Sequence, residues 1–142
     1  MHLTQFTDYS LRVLIYLGLH QDRMVSITEI SQSYKISRNH LLKVVHHLTK
    51  AGLVDGVRGR SGGLKLAVKP EKIKIGKVVR LTEPGFDLVE CFSKENNTCP
   101  IAPNCKLKSI FNDAIKAFLD QLDQHDLSEI LTNPHKLTQL LS

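Results

Sequence analysis

The stretch "ISRNHLLKVVHHLTKAGLVDGVRGRSGGLKLAV", residues 36–68, decides how this chain is read. Ser37 suits an N-cap, because its hydroxyl can accept from a free amide of the first helical turn. Leu41, Val44, Val45 and Leu48 then recur at helical spacing and form one apolar stripe, which Gly52 ends after Lys50. The remaining face presents Arg38, Asn39, His40, Lys43, His47 and Lys50. Beyond it, residues 53–57 and 64–68 read as short strands, and the glycines of "RGRSGG" between them permit a sharp reversal. Upstream, "SITEI" places Ser26 three residues before Glu29, the pattern of a capping box. The helix it starts has Ile27, Ile30 and Tyr34 as its buried face. Two short helices, a tight turn and a basic hairpin follow one another in the order of a winged helix-turn-helix. Any small α+β domain can hold a hairpin. The cations at this tip, Arg58 and Arg60 beside Gly62 and Gly63, favour a wing.

Working outward, a first helix is expected over about residues 7–20, with Leu11, Leu14, Ile15 and Leu19 on its apolar side. "IKIGKVVRLTE" suggests a short linking helix that ends before Pro84. From Cys105 a long helix begins whose apolar positions are Leu107, Ile110, Phe111, Ala114, Ala117, Phe118 and Leu122. One small domain can hardly bury so wide a face, which points to a partner subunit. "LSEILTNPHKLTQLLS" adds two short turns punctuated by Pro134. The expected fold is mostly α with a small β-hairpin. A winged helix-turn-helix domain occupies residues 1–80, a cysteine loop 81–105, and a dimerisation helix with a C-terminal tail 106–142.

Charge sharpens this division. The 142 residues carry a net +5, but residues 1–80 hold 14 Lys/Arg against 5 Asp/Glu, a net of +9, and residues 81–142 hold 5 against 9, a net of −4. A basic half joined to an acidic half suggests a polyanion-binding module with a regulatory or assembly part. Lys and Arg bind phosphate through charge and counterion release, whereas specificity needs contacts to base edges. Arg38 can pair with guanine and Asn39 with adenine in the major groove, and His40 and Lys43 lie within reach of phosphate or base. Arg58 and Arg60 suit a narrow minor groove. Ser37 and Ser61 complete the candidate DNA-binding set. Asn39 also suits a purely supporting place beside the N-cap. His46 and His47 are adjacent and point in different directions, so at least one is expected to pack or face solvent.

The uninterrupted apolar run, residues 13–19, is too short to cross a bilayer, and no cleavage site follows a basic start. The reducing cytoplasm is therefore the expected compartment, with no membrane partner. There, clustered cysteines bind metal or sense redox state more often than they form structural disulfides. No nucleophile–base constellation is visible, and "RGRSGG" lies in a hairpin rather than between strand and helix, so the chain does not read as an enzyme.

All three cysteines, Cys91, Cys99 and Cys105, fall within "CFSKENNTCPIAPNC", residues 91–105. Their spacing is neither Cys-x-x-Cys nor the close pairs of zinc ribbons. Three thiolates can hold an iron–sulfur cluster if a fourth ligand comes from elsewhere. Zinc, a thiol switch and functionless thiols stay open on spacing alone. Cys105 sits at the start of the long helix, where the dipole favours a thiolate.

Taken together, "LTQFTDYSLRVLIYL", "SRNHLLKVVHHLTKAGLV", "VRGRSGGLKLA" and the three cysteines before "KLKSIFNDAIKAFLDQLD" resemble a family of bacterial winged-helix iron–sulfur regulators over essentially the whole chain. The resemblance is closer to the nitric-oxide-sensing branch than to the cluster-biogenesis regulators. The latter place a histidine three residues after the last cysteine, where this chain has Lys108. The resemblance implies a homodimeric repressor that binds pseudo-palindromic double-stranded operator DNA. Its iron–sulfur cluster is ligated by Cys91, Cys99 and Cys105, and nitric oxide is the signal. It also maps a fourth ligand onto Asp8, reaching across from the partner subunit. From the residues alone, Asp8 is an acid in a first helical turn that can pair with Arg12. A 4Fe–4S cluster is preferred to a 2Fe–2S one, although both need four ligands. The alternative within regulators is an oxidation or iron-status signal acting on the same thiols.

Overall fold

The first helix starts earlier than its apolar pattern indicates. In the computed structural model, which describes residues 2–93 and 95–142, helix α1 spans Gln5–Leu19, and the Thr4 side chain accepts from the amide of Thr7. Helix α2, Ile27–Tyr34, is capped by Ser26, whose Oγ accepts from Glu29 N at 3.1 Å. The expected capping box closes on that side only. The Glu29 carboxylate turns away to the Arg23 guanidinium and the Tyr16 hydroxyl, the latter at 3.0 Å. Lys35, in the left-handed region at φ 54°, ends α2 and turns the chain into α3, Arg38–Lys50. Ser37 caps α3 by accepting from His40 N at 3.3 Å, and Leu41, Val44, Val45 and Leu48 are all buried, as their spacing indicates.

Strands β1, Val54–Val57, and β2, Gly63–Leu66, pair antiparallel in the register Val54↔Leu66 to Val57↔Gly63. The turn between them depends on glycine: a Cβ on Gly62 would stand 2.2 Å from the Val57 carbonyl oxygen. The hairpin is fastened to the domain by Val25, whose amide and carbonyl bond to the backbone of Leu64 at 3.0 and 2.7 Å. This fastening fixes the base of the wing and leaves its tip free.

Helix α4 spans Ile75–Thr82 and α5 spans Lys106–Asp123. The main core joins Val13, Leu14 and Leu17 of α1 to Ile30, Leu41, Val44, Leu48 and Val54. A second, smaller cluster of Ile75, Val79 and Leu119, with Phe86, Ile115 and Leu122 against it, docks α5 on α4. Helix α6, Leu127–Ile130, returns to the main core, where Leu127 is fully buried. Lys74 Nζ meets Asp126 Oδ2 at 3.3 Å, and Leu127 N donates to Ile73 O at 3.0 Å. The second of the expected C-terminal turns is a helix in its own right: α7 runs Pro134–Leu141, and Pro134 opens it from its first position. No helix among the described residues is long and apolar enough to cross a membrane.

Candidate nucleic-acid interface and cysteine centre

The structure places the eight candidate DNA-binding residues on two exposed features. Ser37, Arg38, Asn39, His40 and Lys43 lie on the first turns of α3, and Arg58, Arg60 and Ser61 on the wing tip. Their exposure follows from the packing: the α3 stripe that faces the core turns the opposite face outward. Arg38, Lys43, Arg58 and Arg60 form no ion pair among the described residues, so their charge is uncompensated by the chain itself. His40 stands 6.1 Å from the Tyr9 ring of α1, which leans the start of α3 on the first helix. Of the two adjacent histidines, His46 is exposed. His47 is half-buried, 5.4 Å from the Phe6 ring in an edge-to-face arrangement.

The cysteine segment runs from the end of α4 to the start of α5. Cys91 sits in a short 3-10 turn, Glu90–Phe92, Cys99 in irregular chain, and Cys105 at the N-cap of α5. All three are half-buried free thiols. Among the described residues, no three His, Cys, Asp or Glu side chains are assembled for a metal. The chain alone therefore does not bring Cys91, Cys99, Cys105 and Asp8 together. What it does bring together are the neighbours of two thiols. Glu90 Oε1 accepts from the Thr98 hydroxyl at 2.7 Å and from the Thr98 amide, tying the residue before Cys91 to the residue before Cys99. The Thr98 hydroxyl, and then its amide, hold the Glu90 carboxyl below the usual carboxylate range. Asn97 Oδ1 accepts from Cys99 N at 3.1 Å and shapes the same loop. Three soft thiols on one short segment form a donor set that suits iron or zinc, and it lacks one ligand for four-coordination.

Asp8 lies in the first turn of α1. Its carboxylate holds Arg12 through both oxygens, Oδ2 to Nη2 at 2.8 Å and Oδ1 to Nε at 3.1 Å. The ion-pair reading of Asp8 is thus the one realised within a single chain. The Arg12 guanidinium also lies 5.6 Å from the Tyr34 ring centroid, joining α1 to α2.

One group of residues carries almost no signal in the sequence. The last turn of α4 is bonded to the first turn of α1: Glu83 Oε1 accepts from Thr4 N at 2.8 Å and Thr4 Oγ1 at 3.0 Å, and the hydroxyls of Thr82 and Thr7 meet at 2.9 Å in the interior. Burial of Glu83 alone would raise its pKa, but the hydrogen bonds from Thr7 and Thr4 outweigh it and keep the carboxyl low. Leu81 O faces His47 Nε2 at 3.1 Å. The partners are separated by 79, 75 and 34 positions. The only hint in the sequence is Thr7, a polar residue on the inner side of an amphipathic helix.

A capped apolar stripe behind an exposed cationic helix start, a basic wing and the long helix α5 are the features of a winged-helix transcription regulator. The family described as "Rrf2: Iron-dependent Transcriptional regulator" matches residues 3–133. The chain belongs to the Rrf2 family. It is 50% identical to the HTH-type transcriptional regulator NsrR of Bacillus licheniformis over the full length of both proteins. Among solved structures it is similar to T. potens IscR, with a TM-score of 0.75 and 26% identity over 94% of this chain and 88% of that one. It is similar also to CymR, the global cysteine regulator of B. subtilis, with a TM-score of 0.68 and 27% identity over 92% and 95%. The expected family and the winged-helix fold are borne out.

Proposed function

We propose that this regulator is a nitric-oxide-responsive repressor that acts in the cytoplasm as a homodimer. The observation that carries the reading is the position of the thiols. They lie between α4, whose last turn is bonded to both α1 and α3, and α5, which leaves Leu107, Ile110 and Phe118 exposed. A group held there touches the reading head and the assembly helix at once. The NsrR relative supports the choice of signal.

In this reading, residues 1–80 bind DNA, 81–105 hold the cluster and 106–142 contain the dimerisation helix. Arg38 and Asn39 read base edges in the major groove, with Ser37, His40 and Lys43 on bases or phosphates. Arg58, Arg60 and Ser61 on the wing reach the adjacent minor groove or its phosphates. A two-fold dimer presents two such heads to a pseudo-palindrome. Cys91, Cys99 and Cys105 hold an iron–sulfur cluster, 4Fe–4S in preference to 2Fe–2S, and Asp8 of the partner subunit supplies the fourth ligand. When bound, the group would supply iron able to take up nitric oxide, and the carboxylate of Asp8 of the partner subunit, a hard donor, would hold it less firmly than the three thiolates. The Asp8–Arg12 ion pair is the arrangement Asp8 adopts when it ligates nothing. With no group to ligate, Asp8 would pair with Arg12, the segment after α4 would be less restrained, and operator affinity would fall.

The test is anaerobic isolation with iron and sulfide analysis, followed by nitric-oxide titration with absorbance and operator binding read in parallel. Operator affinity that persists after the cluster is destroyed rejects the mechanism. The three half-buried free thiols also support a peroxide-responsive thiol switch. Release of DNA by peroxide from protein without iron or sulfide selects that reading instead.

A further inference from the structure

Recognition helix α3 is held to the core by its apolar stripe of Leu41, Val44, Val45 and Leu48, whose contacts are non-directional. Directional contacts are few. Among the described residues, the only hydrogen bond made by an α3 side chain is that of His47 to Leu81 O, 3.1 Å long. A carbonyl accepts, so Nε2 carries the proton and donates. Leu81 O is one of the last four carbonyls of α4, which have no partner within their own helix. His47 therefore caps a neighbouring helix rather than its own. The ring also packs edge-to-face on the Phe6 ring of α1, with an interplanar angle of 82°.

Of the two elements that grip His47, α1 carries Asp8 and α4 leads into the segment that carries the three cysteines. Leu81, Thr82 and Glu83 lead directly into the cysteine segment. Phe6 belongs to the same first turn as Asp8, and Thr4 and Thr7 of that turn hold Thr82 and Glu83. Strain on the cysteine segment and strain on Asp8 thus converge on one imidazole at the rear of the recognition helix.

Resting on the function proposed above, we propose that His47 is the positioning residue through which the state of the cysteine centre sets the orientation of α3. It makes no contact with the cluster and need make none with DNA. When the last turn of α4 is held, the Nε2–H bond holds α3 in its reading pose. When that turn is released, the bond no longer specifies a pose, and operator affinity falls.

The experiment uses the full-length protein and a duplex selected from a random library with the cluster-loaded wild type. Operator dissociation constants are measured with the cluster intact and after its removal, for wild type, His47→Ala, His47→Phe and His47→Gln. His47→Phe keeps the packing on Phe6 without the donor, and His47→Gln keeps an amide donor. The ratio of the two constants is expected to fall at least tenfold in His47→Ala and His47→Phe, and to be largely retained in His47→Gln. In cluster-loaded protein, hydrogen exchange at residues 47–51 and 81–83 is expected to accelerate in His47→Phe relative to wild type. A His47→Phe protein with the wild-type ratio overturns the proposal. So does an equal loss of affinity in both states, which would make His47 an ordinary DNA contact. A wild type whose affinity is indifferent to the cluster overturns the functional reading itself, and is recognised before any variant is measured.

Discussion

Replacing Ile110 with aspartate is expected to split the proposed dimer while leaving each chain folded. Ile110 lies on α5 with Leu107 and Phe118 at helical spacing, and the three side chains remain 59%, 53% and 37% exposed in the single chain. Full burial of such a side chain is worth about 1.5–3 kcal/mol, so covering the exposed part of each returns about 1 kcal/mol. A two-fold interface uses the patch twice, for about 6 kcal/mol from these residues alone. The α4–α5 packing does not use Ile110; it rests on Leu119, Ile115 and Leu122. Ile110→Asp removes about 1 kcal/mol of burial per copy and puts a carboxylate in an apolar seam, a further cost of at least ~1 kcal/mol per copy even with partial hydration. The sum, about 4 kcal/mol, corresponds to about a thousandfold in the dimer dissociation constant. Sedimentation equilibrium across a concentration series measures it, with circular dichroism as the control on folding and Ile110→Val as a near-neutral companion. An Ile110→Asp protein that sediments with the wild-type dimer constant refutes the assignment of this stripe to the interface.

Three further outcomes are expected. Arg38→Ala weakens specific operator binding by about 1–3 kcal/mol, the value of a good base contact, and leaves random-DNA binding less affected; equal losses on the two duplexes at fixed salt contradict the base-reading role. Removing both Arg58 and Arg60 lowers the slope of log affinity against log salt by about 1.8, about 0.9 for each phosphate no longer neutralised; an unchanged slope takes the wing off the phosphates. Glu29, held low by its hydrogen bond to Arg23 despite partial burial, has a folded pKa below its unfolded one. Its contribution to stability is therefore present above the unfolded carboxylate pKa and lost as pH falls through the folded value. Urea midpoints should show Glu29→Gln destabilised at pH 7, with the deficit shrinking as pH falls below the unfolded carboxylate pKa, and a deficit independent of pH contradicts the pairing.

Residues 36–68 are legible because their signals are local. Ser37, the four-residue stripe, Gly52 and the wing glycines each act within a few positions of themselves, and the structure realises all of them. The departures from expectation have a common origin in competition. Ser26 and Glu29 carry a capping-box pattern, but Arg23 and Tyr16 offer the carboxylate stronger partners. The box that does close is at Asp126 and Glu129, in a stretch whose pattern indicates only a turn. Pro134 reads as punctuation because proline breaks helix interiors, yet at a first position its fixed φ and missing amide cost nothing.

The sequence by itself determined the elements and caps of residues 36–68, the exposed cationic face and the confinement of every thiol to one segment, since these follow from periodicity and composition. The placing of Asp8, whose acid and Arg12 lie four residues apart, was also local. Only the tertiary structure decided that the last turn of α4 would be bonded at once to Thr4, Thr7 and His47, and that α5 would set Leu119 against α4 while leaving Ile110 bare. Those choices depend on which surfaces meet across tens of residues. An apolar residue carries no label for its partner, and a hydroxyl or imidazole accepts whichever polar group the packed core brings within about 3 Å.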